Sequence, residues 1–325
     1  MIFKAIKIPV LLYLSHKKYI TGERLSNYLG LSRVAVWKQI QKLKELGYVI
    51  SADNKKGYRI VSSPDILLPF EIHGNLNTKF IGKQIFYYNK VNSTNSVAKK
   101  AIRDRRIHLP EGTVIIAYEQ TAGRGRLGRT WHSPYGGVWM SIILFPDLEP
   151  AYISKITLMA AVVLVQSLKT LFNIPALIKW PNDIILEDQK LCGILTEMSA
   201  ESDRINYVVV GIGVNANIDM EQFPEEIRKQ STSLQEILGE QISKIRFTRL
   251  LLENFEKYYD LLQRKQFMPI LKEWKLNADT LGRNITVLSA GQVISGEAVD
   301  ITSEGALVIK KENGETVSIL SGTVQ

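Results

Sequence analysis

The sequence predicts an α+β protein of three domains: a small helical domain ending in a hairpin, a larger mixed α/β domain, and a small all-β domain. Three observations carry this. Helical apolar spacing fills the first 62 residues, apolar strands then alternate with helices to about residue 276, and the remaining residues are short strands broken by glycine turns. At 325 residues, 45% of them hydrophobic and 22% charged, the chain can form two or three globular domains around a sizeable core.

The first segment is basic. Residues 1–62 hold 12 Lys and Arg against 3 Asp and Glu, whereas residues 63–325 hold 29 of each, so the whole net charge of +9 belongs to the first segment. Such an imbalance points to nucleic acid for that segment alone. Phe3 to Leu14 reads as an apolar first helix. Thr21 caps a second over Gly22–Leu29, Gly30-Leu31 makes a turn, and Ser32 caps a third running to about Leu46. Val36, Ile40 and Leu43 recur at i, i+4 and i+7 and face inward, which leaves Arg33, Trp37, Lys38, Gln41 and Lys42 mostly on the other faces. Tyr48–Ser51 and Gly57–Val61 then pair around Asp53-Asn-Lys-Lys56. Together these residues resemble a winged helix-turn-helix DNA-binding domain over residues 1–62. Arg33, Trp37, Lys38 and Gln41 on the helix, with Lys55 and Lys56 on the wing, are its candidate DNA contacts.

Several classes are excluded. The apolar run Ile8–Leu14 is followed by Ser15-His-Lys-Lys18 with no small-residue cleavage site, so export is rejected. The longest apolar helix core, Ile156 to Leu168, is too short to span a bilayer and is bracketed by Lys155 and Lys169. A single cysteine, Cys192, cannot close an internal disulfide, and no Cys/His cluster offers a zinc site. The expectation is a soluble cytoplasmic protein with no membrane partner.

Ser62-Ser-Pro-Asp65 and Pro69 mark a linker, residues 63–72, where helices cannot continue. The second domain, residues 73–276, opens with a strand from Gln84 to Val91. Asn92-Ser-Thr-Asn95 follows at the start of a short helix to Arg103; by default it caps that helix, and its hydroxyls and amide could instead hold a polar ligand group there. Further strands run over Thr113–Tyr118 and Val138–Phe145, and a long apolar helix over Ile153–Phe172. Leu177–Leu186, Lys190–Glu197 and Tyr207–Asn215 read as three central strands. Lys179, directly before Trp180-Pro181, is costly in such a strand unless it meets an anion. Helices Thr248–Gln263 and Met268–Leu276 close the domain. Residues 277–325, with turns at Ser289-Ala-Gly-Gln, Thr302-Ser-Glu-Gly and Glu312-Asn-Gly-Glu, suggest a β-barrel of SH3-like size.

Between two of these strands lies Glu119-Gln-Thr-Ala-Gly-Arg-Gly-Arg-Leu-Gly-Arg-Thr-Trp131. Gly123-x-Gly125-x-x-Gly128 matches the dinucleotide fingerprint, but the residues after Gly128 are turn formers with no helical period, so that reading fails. Glycines that admit a ligand to the backbone, with Arg124, Arg126 and Arg129 beside them, suit a loop that grips phosphate or carboxylate. A solvated basic loop or a nucleic-acid patch is the competing reading. Clustered like charges and glycines disfavour order in the empty loop.

Ser93-Thr-Asn95, Gln120–Arg126, Lys179-Trp-Pro-Asn-Asp183 and Gly211-Ile-Gly-Val-Asn215 now stand in one order, behind a winged helix and before a small barrel. In this arrangement the whole chain resembles the bifunctional biotin–protein ligases that also repress biotin genes. The resemblance implies a central mixed α/β domain of the biotin/lipoate ligase type and a C-terminal SH3-like barrel. It implies two steps: biotin and ATP form biotinyl-5′-AMP, and a carrier-domain lysine of a biotin-dependent carboxylase then takes the biotinyl group and releases AMP. By the same resemblance Ser93, Thr94, Asn95, Gln120, Arg124, Gly125, Arg126 and Lys179 bind biotin, with Lys179 bridging its carboxylate and the phosphate. Arg126, Arg129, Trp131 and Asn215 serve the nucleotide, and Lys179 and Arg126 are the catalytic pair. Mg²⁺ is implied by ATP; its ligands are not fixed by the sequence, and Asp183 is a candidate. No covalent nucleophile is required, and Cys192 reads as a small core residue. Regulation would follow from an adenylate-bound homodimer whose two winged helices fit a two-fold operator. Val138–Phe145 and Lys190–Glu197 are its expected face, beside an ordinary core-sheet reading of the same strands.

Two rivals differ in class or substrate. A biotin-sensing transcription factor without ligase activity would explain the winged helix and the arginine loop, but Lys179–Asp183 and the barrel less well. A ligase of another acyl acid, such as lipoate, would share the anhydride chemistry.

Overall fold

The computed structural model describes residues 18–104, 109–201 and 204–324. The expected first helix, Phe3 to Leu14, lies outside the described residues. Helix α1 spans Gly22–Leu29 and α2 Arg33–Glu45, each with the cap that the sequence suggests: Thr21 accepts from Arg24 N and Ser32 from Ala35 N. Gly30 ends α1 at φ 60°, a left-handed conformation that glycine adopts at little cost. Val36, Ile40 and Leu43 are buried, whereas Arg33, Trp37 and Lys38 are exposed and Gln41 is half-buried. Strands β1 (Val49–Asp53) and β2 (Gly57–Ser62) form the wing, with Lys55 and Lys56 exposed at its tip. Asp53 shapes that tip by accepting from the backbone N–H of both lysines at 2.8 Å.

The linker is more structured than its prolines suggest. Pro69 opens the short helix α3 (Pro69–His73) instead of barring a helix, because the first helical position has no N–H to lose. Asp65 accepts from Lys244 N at 2.7 Å and from Ile245 N at 3.1 Å, and Tyr48 donates to Glu71 at 2.6 Å. The DNA-binding domain is thereby fastened to the central one.

The central sheet joins β3 (Ile85–Val91), β4 (Val114–Gln120), β5 (Val138–Leu144), β6 (Leu177–Lys179), β7 (Asp183–Leu186), β8 (Gln189–Ala200) and β9 (Ile205–Val214), in the order β3-β4-β5-β9-β8-β7-β6. β3 and β4 are parallel and every other pair is antiparallel. Leu177–Leu186 is therefore two strands and not one. Proline has no ladder donor, and the chain reverses at a cis Trp180–Pro181 bond so that Lys179 faces Asp183. Every residue of β5 is buried, between β4 and β9. This removes Val138–Leu144 as a dimer face and supports the core-sheet reading of that strand.

Helix α4 (Thr94–Arg103) covers one face of the sheet through Ala98, packed with Ile115, Ile143 and Val209. Helix α5 (Ile153–Phe172) covers the other. It is long and apolar enough to cross a membrane by length and composition, but eleven of its side chains are buried against the sheet and against the later helices. Short helices α6 (Glu225–Arg228) and α7 (Leu234–Leu238) follow the sheet. Helices α8 (Lys244–Gln263) and α9 (Phe267–Leu276) finish the domain, and Ser243 caps α8 one turn before the expected start at Thr248.

Strands β10 (Asn284–Ser289), β11 (Gln292–Ile301), β12 (Leu307–Lys310), β13 (Thr316–Ile319) and β14 (Thr323–Val324) form an antiparallel sheet in the order β13-β12-β11-β10-β14. Only Leu320–Gly322 separate β13 from β14, which are opposite edges, so the sheet is strongly curled, as an SH3-like barrel requires. Its base is tied to β6, where Ile178 N donates to Asn277 O and Asp279 N donates to Ile178 O.

Candidate active site

The ends of β4, β7, β8 and β9 surround a cavity of about 750 Å³. Ser93, Thr94, Asn95, Gln120, Arg124, Gly125, Arg126, Arg129, Trp131, Lys179, Asp183 and Asn215, scattered between positions 93 and 215 of the sequence, all line it.

At one end lies a buried polar chain. Ser93 occupies the cap position of α4, yet its side chain makes no capping bond, so the cluster is not there to cap. Thr94 N–H donates to Gln120 Oε1 at 2.8 Å, and Gln120 Nε2 donates to Ser133 Oγ at 2.8 Å. Asn95 Nδ2 donates to Leu195 O (3.2 Å) and to Glu197 Oε2 (2.8 Å), while Asn95 Oδ1 accepts from Ser141 (2.6 Å). Both amide hydrogens of Asn95 are therefore spent on the protein, which makes it a rigid wall. Burial raises the Glu197 carboxyl, but hydrogen bonds from Lys99 and Asn95 and the charges of Lys99 and Arg124 outweigh that and hold it below its ordinary value.

The arginine loop forms the roof. It is a defined turn: Arg124 bridges Thr130, Gly125 N–H donates to Arg129 O and Trp131 N–H donates to Gly123 O, with only a 3₁₀ turn at Arg126–Gly128 in place of a fingerprint helix. A Cβ at Gly123 would fall 2.3 Å from Trp131 O, so glycine is needed for the close approach. The Arg126 guanidinium reaches Asn182 Oδ1 (3.3 Å), Gly322 O (3.2 Å) and Ser321 Oγ (3.0 Å). Burial pulls its pKa below the ordinary value; Asp183 opposes this and Arg129 adds to it.

At the other end Trp131 lies on the sheet where Gly193 and Gly213 leave room for it. Among the described residues, Trp131 Nε1, Asp183 Oδ1 and Asn215 Oδ1 are buried without a hydrogen-bond partner. Three unpaired polar atoms around one cavity mark a place for a polar ligand. Lys190 meets Asp183 Oδ2 at 2.7 Å and stands 5.1 Å from the Trp131 ring, and its carbonyl receives Asn215 Nδ2 at 3.5 Å.

Three family models match parts of the chain. The HTH domain matches residues 6–59, the Biotin/lipoate A/B protein ligase family residues 87–215, and the Biotin protein ligase C terminal domain residues 280–325. The chain is 39% identical over 298 residues to the bifunctional ligase/repressor BirA of Bacillus spizizenii, covering 91% of each. This chain belongs to the bifunctional biotin ligase and repressor family. The Escherichia coli member is 27% identical across 94% of this chain and 93% of its own. Among solved structures, biotin protein ligase from Aquifex aeolicus in complex with biotin and ATP is 28% identical with a TM-score of 0.64, over 75% of this chain and 98% of that one.

For a biotin ligase, sequence reasoning missed several residues that reach the cavity. Lys190 lines the cavity but follows Glu187-Asp188-Gln189, where a charge carries no signal; Ser141, a lone polar residue in an apolar strand, lies behind the wall and holds Asn95. Phe223, Glu226, Ile227 and Gln230, in and on either side of α6, carry no motif, nor do Gly322 and Thr323 of the barrel. Mg²⁺ finds one orphaned carboxylate oxygen, Asp183 Oδ1, and no cluster of three metal-binding side chains among the described residues. That suits an ion held by one carboxylate together with substrate phosphates.

Proposed function

We infer that this protein is an ATP-dependent biotin–[biotin carboxyl-carrier protein] ligase and a biotin-responsive transcriptional repressor. The observation that carries the reading is the single cavity that gathers every predicted ligand residue, with a polar pocket at one end, cations above, and unpaired polar atoms at the other. In this reading biotin lies at the Ser93–Gln120 end, with Ser93 and Thr94 offering hydroxyls and Gly125 backbone contact, while Asn95 fixes the wall. The nucleotide lies at the Trp131–Asn215 end, with Asn215 Oδ1 as an acceptor, Arg129 near the phosphates, and Arg124 and Arg126 over the join.

A biotin carboxylate oxygen attacks the α-phosphorus and pyrophosphate leaves; the carrier lysine amine then attacks the acyl carbon and AMP leaves. Both steps gather negative charge on phosphate, which cations already in place stabilise without reorganising. Two lysines can supply such a cation. Lys179 lines the cavity and is the expected bridge between carboxylate and phosphate. Lys190 lines it too, but its ammonium is 2.7 Å from Asp183 Oδ2, so part of its charge is already met. When bound, Mg²⁺ would neutralise phosphate charge, with Asp183 as its protein ligand.

The partners in this reading are a carrier domain of a biotin-dependent carboxylase, operator DNA read by Arg33, Trp37, Lys38 and Gln41 with Lys55 and Lys56 on the wing, and a second copy when the adenylate is bound, all in the cytoplasm. The test is biotin-dependent exchange of labelled pyrophosphate into ATP, with lipoate and octanoate as control acids. Exchange is expected with biotin alone, with a loss of about 10²- to 10³-fold for whichever of Lys179→Ala and Lys190→Ala removes the bridging cation. Absence of exchange with every acid, from folded protein that binds biotin, would leave a biotin-sensing regulator; exchange with lipoate would leave a different acyl ligase.

A further inference from the structure

Arg126 belongs to the arginine loop of the central domain, yet two of its three hydrogen-bond acceptors are in the barrel. Ser321 Oγ and Gly322 O lie in the turn between β13 and β14, and the third acceptor, Asn182 Oδ1, is in the turn between β6 and β7. The seat is itself braced. Asn182 Nδ2 donates to Ile194 O at 2.8 Å and Ile194 N donates to Asn182 O at 3.0 Å, while Ser289 Oγ donates to Ser321 O at 2.6 Å. Gly322 is buried against β10, where a Cβ would come within 2.4 Å of Val287 Cγ1.

All three acceptors are neutral. Neutral acceptors set the direction of a guanidinium without cancelling its charge, whereas a carboxylate in the same place would do both. No carboxylate forms an ion pair with Arg126 among the described residues; Asp183, whose charge acts on it, is paired with Lys190. An arginine that is half-buried, oriented at three points and left positive is set to meet an anion on its remaining side, the cavity side.

We propose that Ser321 and Gly322 of the C-terminal barrel are positioning residues for Arg126, forming with Asn182 a neutral seat that aims an uncancelled positive charge at the phosphate of the acyl-adenylate. The proposal rests on the ligase reading above and deepens it. On this view the barrel helps to retain the intermediate although it supplies no group that touches the reacting atoms.

The experiment uses the full chain and reads the release rate of pre-formed biotinyl-5′-AMP, together with biotin affinity and the melting temperature of the empty protein. Ser321→Ala removes one neutral bond and should speed release by roughly three- to tenfold. Ser321→Asp places a carboxylate against Arg126 and should speed it further, by about 10²-fold, with a smaller loss of biotin affinity. Ser321→Thr, which keeps the hydroxyl, should restore the wild-type rate. In an Arg126→Ala background, Ser321→Asp should add nothing, since the charge it cancels is gone.

Wild-type release from Ser321→Asp, or an equal effect of that change with and without Arg126, overturns the seat. So does a loss of release control that only tracks a lower melting temperature. If the wild-type protein forms no adenylate at all, the ligase reading fails first, which separates the two failures.

Discussion

Ser141 and Asn95 meet at 2.6 Å, hydroxyl to amide oxygen, in a part of the central sheet where Ser141 has no exposed surface. The Ser141 oxygen is also 2.7 Å from Thr94 Oγ1. One hydroxyl proton cannot serve both; Asn95 Oδ1 can only accept, so Ser141 gives its proton there and takes one from Thr94. A single hydroxyl thus sets the orientation of two neighbouring residues in the cavity wall.

Ser141→Ala strips Asn95 Oδ1 of its donor inside the protein. Leaving a buried acceptor unpaired costs about 1–3 kcal/mol. The expected outcome is a lower denaturant midpoint and a biotin affinity reduced roughly tenfold, with operator binding by the empty protein unaltered. Titration calorimetry with biotin and a urea melt check it.

Glu197 gives the wall a pH dependence with a defined sign. Its folded-state pKa lies below the ordinary value, because the bonds from Lys99 and Asn95 outweigh burial. A lowered carboxyl pKa contributes stability that is present above the unfolded value, about 4.3, and is lost as the pH falls through the folded value. The urea midpoint should therefore hold from neutral pH down to about 4.3 and lose this contribution below it. Glu197→Gln should lower the midpoint at neutral pH and flatten that part of the acid fall, as seen by urea melts followed by tryptophan fluorescence across pH.

Asp65 caps α8 from the linker, so its loss should be felt in two domains. Asp65→Ala leaves Lys244 N–H and Ile245 N–H without their acceptor, at a cost of about 1 kcal/mol. Limited trypsin digestion should cut the linker faster than in the wild type, with pyrophosphate exchange unchanged. Unaltered linker cleavage would show that Asp65 does not hold the DNA-binding domain in place.

Cys192 should be inert in the native protein. It is fully buried in β8, and burial, reinforced by the Asp183 charge and only partly countered by Lys190, pushes its thiol far up. Iodoacetamide labelling at pH 8 should be at least about a hundredfold slower than in urea-unfolded protein. Mass spectrometry of quenched time points reads it.

The elements that were legible in sequence are those whose cause is local. Thr21, Ser32 and Gly30 bound the first two described helices because a cap acts within three residues. Ile153–Phe172 was legible from its length and apolar content. The hairpin at Trp180-Pro181 was not, since two short apolar strands and one long one have the same composition. The cavity divides similarly. The arginine loop announces itself by glycines and charges, whereas Ser141, Glu197, Lys190 and Ser321 acquire their meaning from partners 7 to 195 positions away, which no spacing rule links.

Gly193, Gly211 and Gly213 are set in the floor of the cavity, where Trp131 and Asn95 press against the sheet. Side chains have been removed from the central sheet, so the depth of the site is written into strands and not into loops. Nothing smaller than glycine exists. Anyone wishing to admit a bulkier acid, such as a biotin analogue carrying a label, gains no room by trimming this floor and must change the walls or the roof. The same three positions can only ever make the site shallower, which leaves them as places to narrow its choice of substrate.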